Sequence, residues 1–348
     1  MQSDVMGIPP PPASAVTLES KVAFLRQATS FPEPTYRVEA IETHMSWVFL
    51  TDAFAYKLKK PVRNDFIDFS TIQARSFYCQ EEVRLNRRLA SGIYLGTVPL
   101  AFNTSGHLQL TDGPTIVDWL VKMRRLPMHH MLDYAIIHGS ANENDIGRLA
   151  ARLARFYRSC APIAIGPAEY RNRLLFRIDA QFLELSSPDF QLSSEQLKSI
   201  FQAQRNFLNS MSALLDARVL AGRIVEGHGD LRPEHICLEA EPTIIDCLEF
   251  SRDLRTLDRA DELAFLALEC ERLGAGGLGA LLLRSYSQIS NDWPSATLIH
   301  FYQSYRASLR ATIALRHLKE QQFRYSPEWP RRAKAYLQLA ERHAACCR

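Results

Sequence analysis

The residues with the clearest chemical potential lie between positions 226 and 250. Asp230 follows a His-Gly pair, and Asp246 follows the β-branched run Thr-Ile-Ile. The residue five positions after Asp230 is His235. A phosphotransferase uses an aspartate near the acceptor hydroxyl, a metal ligand five positions later and a metal-binding aspartate at a strand end. The spacing therefore predicts phosphoryl transfer, with Asp230 as catalytic base and Asp246 and His235 as metal ligands.

Phosphoryl transfer also needs a lysine that holds phosphates and a carboxylate that orients the lysine. Lys57 ends the strand pattern Phe-Ala-Tyr-Lys, which is similar to the Val-Ala-Ile-Lys of kinases. Lys59 shares its strand face because side chains alternate along a strand, and Lys57 is the favoured candidate of the two. Glu82 is the favoured ion-pair partner, and its neighbour Glu81 is the alternative.

The elements that must position these residues change in kind along the chain. Strand patterns and one charged helix come first, and mostly helical patterns follow from about residue 125. This order predicts an α+β, two-lobed fold, with a small β-rich N-lobe and a larger, mostly helical C-lobe. The predicted domains are a disordered Pro-rich leader over 1–17, an ATP-binding lobe over 18–123 and a helical lobe with the catalytic and metal loops over 124–348.

Several individual elements follow from hydrophobic periodicity and turn residues. A turn at Asp-Ala predicts a β-hairpin, and Asp-Gly-Pro predicts a second one. The predicted elements are a helix from about 18 to 28, a hairpin of 46–51 with 54–58, a helix over 76–89, a hairpin of 107–110 with 115–121, and a hairpin within 236–246. The glycines from Gly274 to Gly279 satisfy Gly-x-Gly-x-x-Gly but follow a helical pattern, so they are interpreted as a helix end and turn rather than a dinucleotide site.

Composition bounds the function classes. The chain has 348 residues, 47% of them hydrophobic and 23% charged, which is typical of a soluble globular protein. A net charge of +3 is too small to indicate a nucleic-acid or membrane partner. Seven cysteines without a Cys-x-x-Cys pair favour a reducing compartment. With neither a signal-peptide pattern nor an apolar run of about 18 residues, the expected location is cytoplasmic.

The motifs together resemble the aminoglycoside phosphotransferase (choline kinase-like) family, and more narrowly its bacterial branch sometimes fused to a P-loop kinase domain. The similar stretches are 55–61, 66–70, 78–86, 121–127, 228–238, 245–250 and 302–311. The resemblance implies a bilobal kinase fold, ATP bound in the cleft, Mg²⁺ and transfer to a small-molecule hydroxyl. It also implies that Met123 and Arg124 form a hinge that contacts adenine through the backbone.

Further residues complete the predicted site. His228 and Arg232 flank Asp230 and are assigned with it to the catalytic group. Ser46 precedes the first hairpin strand, where a phosphate-covering loop would lie, although turn chemistry explains this serine equally well.

The chain departs from the family pattern at two positions. Family members usually carry Asn at the position of His235, and imidazole suits Zn, Cu or Fe whereas Mg²⁺ prefers oxygen ligands. Arg232 stands where the family commonly has His, which adds a fixed positive charge near the expected transfer site. No Gly-x-x-x-x-Gly-Lys-Ser/Thr P-loop occurs in the sequence.

Alternative functions remain open from the sequence. His235 favours a second hypothesis, a nucleotide-binding pseudokinase that regulates a partner. A third hypothesis is transfer to a protein hydroxyl, or nucleotidylation in place of phosphorylation. The acceptor is not identified. Residues 301–348 carry ten Lys/Arg against three acids, a balance that disfavours a polycationic aminoglycoside if this surface lines the pocket.

Overall fold

A computed structural model describes residues 16–64, 67–319 and 325–347, so the predicted leader lies almost entirely outside the described residues. The chain divides into two units. The first comprises the residues up to Met128 together with 243–252, and the second comprises 129–242 with 253–348. The first unit ends at residue 128, whereas the predicted boundary follows residue 123. The segment 243–252, which carries Asp246, belongs to the first unit rather than to the predicted helical lobe.

Strands and helices alternate in the first third of the described chain, and helices dominate afterwards. The strands are β1 (Glu39–Glu42), β2 (Ser46–Leu50), β3 (Phe54–Lys59), β4 (Arg63–Asn64), β5 (Ile67–Asp68), β6 (Tyr94–Phe102), β7 (Leu108–Gln109), β8 (Thr115–Arg124), β9 (Ile224–Glu226), β10 (Ile236–Cys237), β11 (Thr243–Ile244) and β12 (Thr256–Asp258). The helices are α1 (Leu18–Leu25), α2 (Ile72–Ala90), α3 (Leu132–Ile137), α4 (Glu143–Ser159), α5 (Pro167–Leu185), α6 (Ser194–Ser210), α7 (Ser212–Leu220), α8 (Arg252–Arg255), α9 (Arg259–Arg272), α10 (Gly276–Ser290), α11 (Ala296–Arg316) and α12 (Glu328–Ala345).

The first unit is built on a six-stranded antiparallel sheet in the order β1-β2-β3-β8-β6-β7. The first predicted hairpin is confirmed as β2 and β3, with Ser46 opposite Lys59. Helix α2 begins four residues before its predicted start because the Thr71 hydroxyl accepts from the Ala74 N–H and caps the earlier turn.

The second predicted hairpin is wrong. β7 pairs with β6 rather than with β8, and β8 lies between β3 and β6. β6 does not stand out in the sequence because Gly96 and Pro99 lie inside it, and both residues are unusual in a strand interior. The structure accommodates them next to two register shifts, between Tyr94 and Gly96 and between Leu100 and Ala101.

The two faces of the sheet bury different side chains. Tyr56 and Leu58 of β3 point into a core that includes Leu25 of α1. Ala55 points to the other face, into a core with Cys79 and Val83 of α2. Because strand side chains alternate with a period of two, Lys57 and Lys59 share the face of Ala55. They therefore face α2.

The second unit is a helical bundle with one long buried cluster drawn from α5, α6, α7, α9, α11 and α12. Its two short strands β9 and β12 pair antiparallel, with Glu226 opposite Thr256. Residue 226 leads directly into the loop of residues 227–235, and residue 258 leads directly into α9. This pairing sets the loop against the first turn of α9. Among the described residues, no helix is both long and apolar enough to span a membrane.

Candidate active site

In the first unit, five side chains form what we call the lysine–carboxylate cluster: Lys57, Lys59, Glu82, Asp246 and Glu249. The Nζ atom of Lys57 lies 2.9 Å from Glu82 Oε1 and 2.6 Å from Asp246 Oδ1. The Nζ atom of Lys59 lies 2.5 Å from Glu82 Oε2 and 2.5 Å from Glu249 Oε1. The predicted ion pair between Lys57 and Glu82 is thus confirmed, and Lys59 shares the same carboxylate.

The alternative carboxylate, Glu81, points elsewhere. It forms an exposed bidentate ion pair with Arg84, three residues later on the helix. The distances between the guanidinium nitrogens and the carboxylate oxygens are 2.8 and 2.7 Å. The difference follows from helix geometry, since adjacent residues lie about 100° apart around the axis. Glu82 is on the buried face of α2 with Val83 and Cys79, whereas Glu81 faces outward.

The two lysines differ in exposure. The side chain of Lys59 is 1% exposed and both of its partners are nearly as buried. The side chain of Lys57 is 15% exposed, and its partner Asp246 is 44% exposed. Lys57 and Asp246 therefore form the accessible edge of the cluster, and Lys59 lies behind them.

Neighbouring charges affect the pKa values of Lys57 and Glu82 more strongly than burial does. Burial by itself would lower the pKa of Lys57, but the carboxylates of Asp246, Glu82 and Glu249 raise it well above the ordinary value. Burial would likewise raise the pKa of Glu82, and the two lysines outweigh this effect and lower it. Three carboxylates and two ammonium groups thus contact one another in this cluster.

The segment that carries Asp246 is held by side chains from α2 and β6. The N–H of Asp246 donates to Tyr94 Oη at 3.1 Å, and the N–H of Cys247 donates to Asn86 Oδ1 at 2.9 Å. Asp246 itself has a φ of 62°, in the left-handed region that a non-glycine residue seldom occupies. Such a conformation is maintained by the surrounding bonds, which fix the direction of its carboxylate.

In the second unit, the 227–235 loop is anchored by one buried carboxylate. Glu262 Oε1 accepts from the N–H groups of His228 and Gly229 at 2.9 and 2.5 Å, and Glu262 Oε2 accepts from the Tyr157 hydroxyl at 2.6 Å. An added Cβ at Gly227 would meet Glu262 Oε2 at 2.7 Å. Only glycine therefore lets the loop approach α9 this closely.

Asp230 lies in this loop beside three other polar side chains. Its Oδ2 atom accepts from Arg232 Nε at 3.0 Å, and its N–H donates to His228 Nδ1 at 3.3 Å. Burial by itself would raise the pKa of Asp230, but the positive charges of Arg232 and Arg310 outweigh it and hold the pKa well below the ordinary range. Asp230 is an ionised carboxylate at neutral pH.

His235 closes the loop back on Asp230. Its Nδ1 atom is 2.8 Å from the Asp230 carbonyl oxygen, and its Nε2 atom is 2.9 Å from an Arg232 guanidinium nitrogen. A guanidinium can only donate, so Nε2 must be the acceptor and Nδ1–H the donor to the carbonyl. The neutral imidazole thus directs its lone pair at Arg232.

Three further predicted residues lie in the sheet of the first unit. Ser46 bonds to Thr43 through its hydroxyl and backbone, which is the turn chemistry considered for it. Met123 pairs with Ala55 and Tyr94, and the Arg124 N–H donates to the Ile93 carbonyl at 2.9 Å. The backbone of this predicted hinge is engaged by neighbouring strands, and its contact with adenine stays a prediction.

Solved structures of similar fold identify the architecture. A choline/ethanolamine kinase family protein from Mesorhizobium loti superposes with a TM-score of 0.52, covering 95% of this chain and 99% of its own, at 15% identity. Choline kinase from Cryptosporidium parvum gives a TM-score of 0.54, covering 93% of this chain and 95% of its own, at 11% identity. The chain has the choline kinase fold. The fold implied by the resemblance to the aminoglycoside phosphotransferase and choline kinase-like family is confirmed.

Sequence relatives extend beyond this chain. Uncharacterized proteins of Mycobacterium tuberculosis and Mycobacterium bovis are 35% identical over 279 residues, or 79% of this chain. The chain spans about half the length of the curated relatives it matches, 54% in each case. No family model matches the chain.

On the choline kinase fold, the donors at Asp246 suit Mg²⁺. This ion is usually held by one or two carboxylates and completes its shell with phosphate oxygens and water. Asp246 offers a partly exposed carboxylate. Across residues 16–64, 67–319 and 325–347, no group of three or more His, Cys, Asp or Glu side chains is arranged to hold a metal ion, so these residues offer no cage made of protein ligands alone. An open site of the magnesium type fits these donors.

The sequence analysis missed several residues that shape the site. Glu262 anchors the 227–235 loop, Glu249 completes the lysine–carboxylate cluster, and Tyr94 and Asn86 hold the Asp246 segment. One signal for Glu262 exists in the sequence. It opens an apolar helix that is buried nearly throughout, and a carboxylate in such a helix must have hydrogen-bond partners.

Proposed function

We propose that this chain is an ATP-dependent phosphotransferase that moves the γ-phosphate of ATP to the hydroxyl of a small molecule. The observation that carries the proposal is the position of Lys57, whose Nζ atom contacts both Glu82 and Asp246. These three residues are widely separated in sequence, and the chemistry of phosphoryl transfer requires them together. The choline kinase fold supports the same reaction class.

The residues of each unit have their own roles in this proposal. Lys57 would bind the phosphates of the nucleotide, and Glu82 would keep its ammonium group charged and oriented. Asp246 would hold Mg²⁺, which supplies charge neutralisation of the phosphates when it is bound. Ser46, Met123 and Arg124 remain the candidates for further nucleotide contacts, from the covering loop and the hinge.

Asp230 would orient the acceptor hydroxyl. With its pKa held low by Arg232 and Arg310 against the effect of burial, it is a weak base. Weak basicity suffices because the transition state of phosphoryl transfer is loose and the hydroxyl proton leaves late. His228 would position Asp230, since it accepts the N–H of that residue.

The acceptor is proposed only as a small-molecule alcohol. Arg232 places a fixed positive charge 3.0 Å from Asp230. This charge disfavours an acceptor whose hydroxyl lies close to a cationic group. We therefore do not expect aminoglycosides or choline to be the substrate.

A screen for phosphorylated metabolites tests the proposal. The wild-type protein and Asp230→Asn are incubated with MgATP and a cellular metabolite extract, and products gaining a phosphoryl group are found by mass spectrometry. We expect at least one product with the wild type and none with Asp230→Asn. ATP labelled separately in the γ- and α-phosphates distinguishes phosphorylation from nucleotidylation.

A second candidate is a nucleotide-binding pseudokinase that regulates a partner. The observation that favours it is the geometry of His235, which directs its lone pair to Arg232 rather than to a metal position. Under this candidate the protein binds ATP without turnover. A large rise in turnover for His235→Asn would support the pseudokinase, whereas a loss would show that His235 takes part in an active site.

A further inference from the structure

A permanent cation, Arg232, lies beside Asp230 and contacts His235, the predicted metal ligand. Arg232 donates to Asp230 Oδ2 at 3.0 Å and to His235 Nε2 at 2.9 Å, and a third guanidinium nitrogen lies 3.8 Å from Glu234 Oε2. All three guanidinium nitrogens therefore face specific partners. The side chain is only 16% exposed, so the charge is fixed in place rather than mobile.

His235 does not fit a role as a Mg²⁺ ligand in this arrangement. Imidazole nitrogen is a poor donor for Mg²⁺, which selects oxygen. The hydrogen-bond network also assigns its protons: Nδ1–H is donated to the Asp230 carbonyl at 2.8 Å, and the Nε2 lone pair accepts from Arg232. Coordination through Nε2 would require Arg232 to leave, and coordination through Nδ1 would require the loop to open.

We infer that Arg232, held by His235, supplies next to Asp230 the positive charge that a second metal ion supplies in kinases with Asn at this position. The inference rests on the proposed function, and it makes the protein a phosphotransferase that uses one metal ion, bound at Asp246. Guanidinium groups perform this task elsewhere, since arginines stabilise the charge of the transferred phosphoryl group. His235 is then a positioning residue that acts through Arg232.

The two residues that form this contact are also the two that differ from the family pattern in the sequence. Arg232 and His235 both depart from the family pattern, and they contact each other. The two departures are therefore one structural unit: the arginine brings the charge, and the histidine fixes it without adding a competing charge.

Counting bound metal ions tests the inference without relying on catalysis. Mn²⁺ replaces Mg²⁺ as the probe, AMP-PNP replaces ATP, and electron paramagnetic resonance counts Mn²⁺ per bound nucleotide at saturation. We expect one Mn²⁺ for the wild type, for His235→Ala and for the control Arg205→Met. Arg205, on α6, forms an ion pair with Asp179 of α5, so its loss controls for removing an ion-paired arginine elsewhere in the same unit.

A double variant tests whether a second metal site can be created. Arg232→His combined with His235→Asn removes the fixed charge and adds an oxygen ligand, and we expect it to bind a second Mn²⁺ while circular dichroism shows an unchanged fold. If this variant does not fold, the wild type and His235→Ala still decide the matter. Two Mn²⁺ in the wild type and one in His235→Ala would overturn the inference, as would a folded double variant that binds only one.

The outcome also separates this inference from the proposed function. Absence of AMP-PNP binding by the wild type would overturn both. Intact AMP-PNP binding with two Mn²⁺ ions, one of them lost in His235→Ala, would overturn the inference alone. As a second readout, Arg232→Met should lower phosphoryl transfer by about 10²–10³-fold with unchanged affinity for AMP-PNP, and Arg232→Lys should restore part of that loss because it restores the charge.

Discussion

The lysine–carboxylate cluster of the first unit and the 227–235 loop of the second are held by different forces. The cluster is a set of ion pairs in which Lys59 is 1% exposed and Glu82 is completely buried. The loop is held by its own backbone, whose N–H groups at His228 and Gly229 end on Glu262. Side-chain charge fixes the first region, and backbone hydrogen bonds fix the second.

This difference has a functional meaning. The cluster presents the partly exposed carboxylate of Asp246, which suits a metal ion, whereas the loop carries Arg232 against its key aspartate. Mutations should therefore separate the two regions. Changes in the cluster should affect nucleotide binding and stability, and changes in the loop should affect transfer while nucleotide binding survives.

Asp230→Asn should have the largest effect on activity. Removing the carboxylate that orients the acceptor hydroxyl should lower transfer by about 10²–10⁴-fold. Isothermal titration calorimetry with AMP-PNP should give an unchanged dissociation constant because Asp230 belongs to the loop rather than to the cluster. A parallel loss of nucleotide affinity would break the division between the two regions.

Within the cluster, the two lysines should separate function from stability. Lys59→Met removes the partner of two buried carboxylates and should lower the free energy of unfolding by about 3–5 kcal/mol. Lys57→Met should lower phosphoryl transfer by about 10²–10³-fold with a smaller loss of stability, because Lys57 and Asp246 are partly exposed.

Urea denaturation and transfer assays on the same preparations measure both lysine effects. Glu81→Gln is the matched control on α2, since Glu81 pairs with the exposed Arg84, and exposed pairs contribute little. Equal effects of Lys57→Met and Lys59→Met on stability and transfer would contradict the proposed division of roles.

In the loop, Gly227→Ala tests the anchor at Glu262. The added Cβ would lie 2.7 Å from Glu262 Oε2, and overpacking of this kind typically costs about 1–3 kcal/mol. Gly277→Ala is the matched control, because a Cβ there meets nothing within 4 Å. Thermal denaturation should show a loss for Gly227→Ala alone, and transfer should fall with it. If both variants behave alike, Glu262 does not hold the loop closely.

The smallest expected effect is a change in the pH dependence of stability. The folded pKa of Asp230 lies below its unfolded value because Arg232 and Arg310 outweigh burial. Its contribution is therefore fully present above the unfolded pKa of about 3.9 and is lost as pH falls from there through the folded pKa. Urea denaturation between pH 6 and 3 should show a shallower decline for Asp230→Asn than for the wild type. Stability curves that fall equally with pH in the wild type and in Asp230→Asn would refute the lowered pKa of Asp230.

The sequence allowed prediction of the parts that depend on local pattern. Strand alternation placed Lys57 and Lys59 on one face, and helix periodicity left Glu82 and Glu81 as neighbours pointing in different directions. It did not allow a choice of which glutamate points inward, because that depends on the tertiary position of α2. It also failed at β6, where Gly96 and Pro99 contradict strand propensity and only the pairing with β8 resolves them.

The acceptor half was less accessible to sequence reasoning for a physical reason. The link between Gly227, His228 and Glu262 joins residues more than thirty positions apart and uses backbone N–H groups, which have no sequence signature. The same holds for the bond of Arg232 to His235, where the sequence showed two unusual residues without showing that they contact each other.

Calorimetric titration of the wild type and Asp246→Asn with AMP-PNP, in the presence and absence of Mg²⁺, tests whether Asp246 holds the metal of a nucleotide site. We expect the wild type to bind AMP-PNP tightly only with Mg²⁺, and Asp246→Asn to lose this dependence on Mg²⁺. Absence of AMP-PNP binding, or wild-type binding that ignores Mg²⁺, would contradict this role of Asp246.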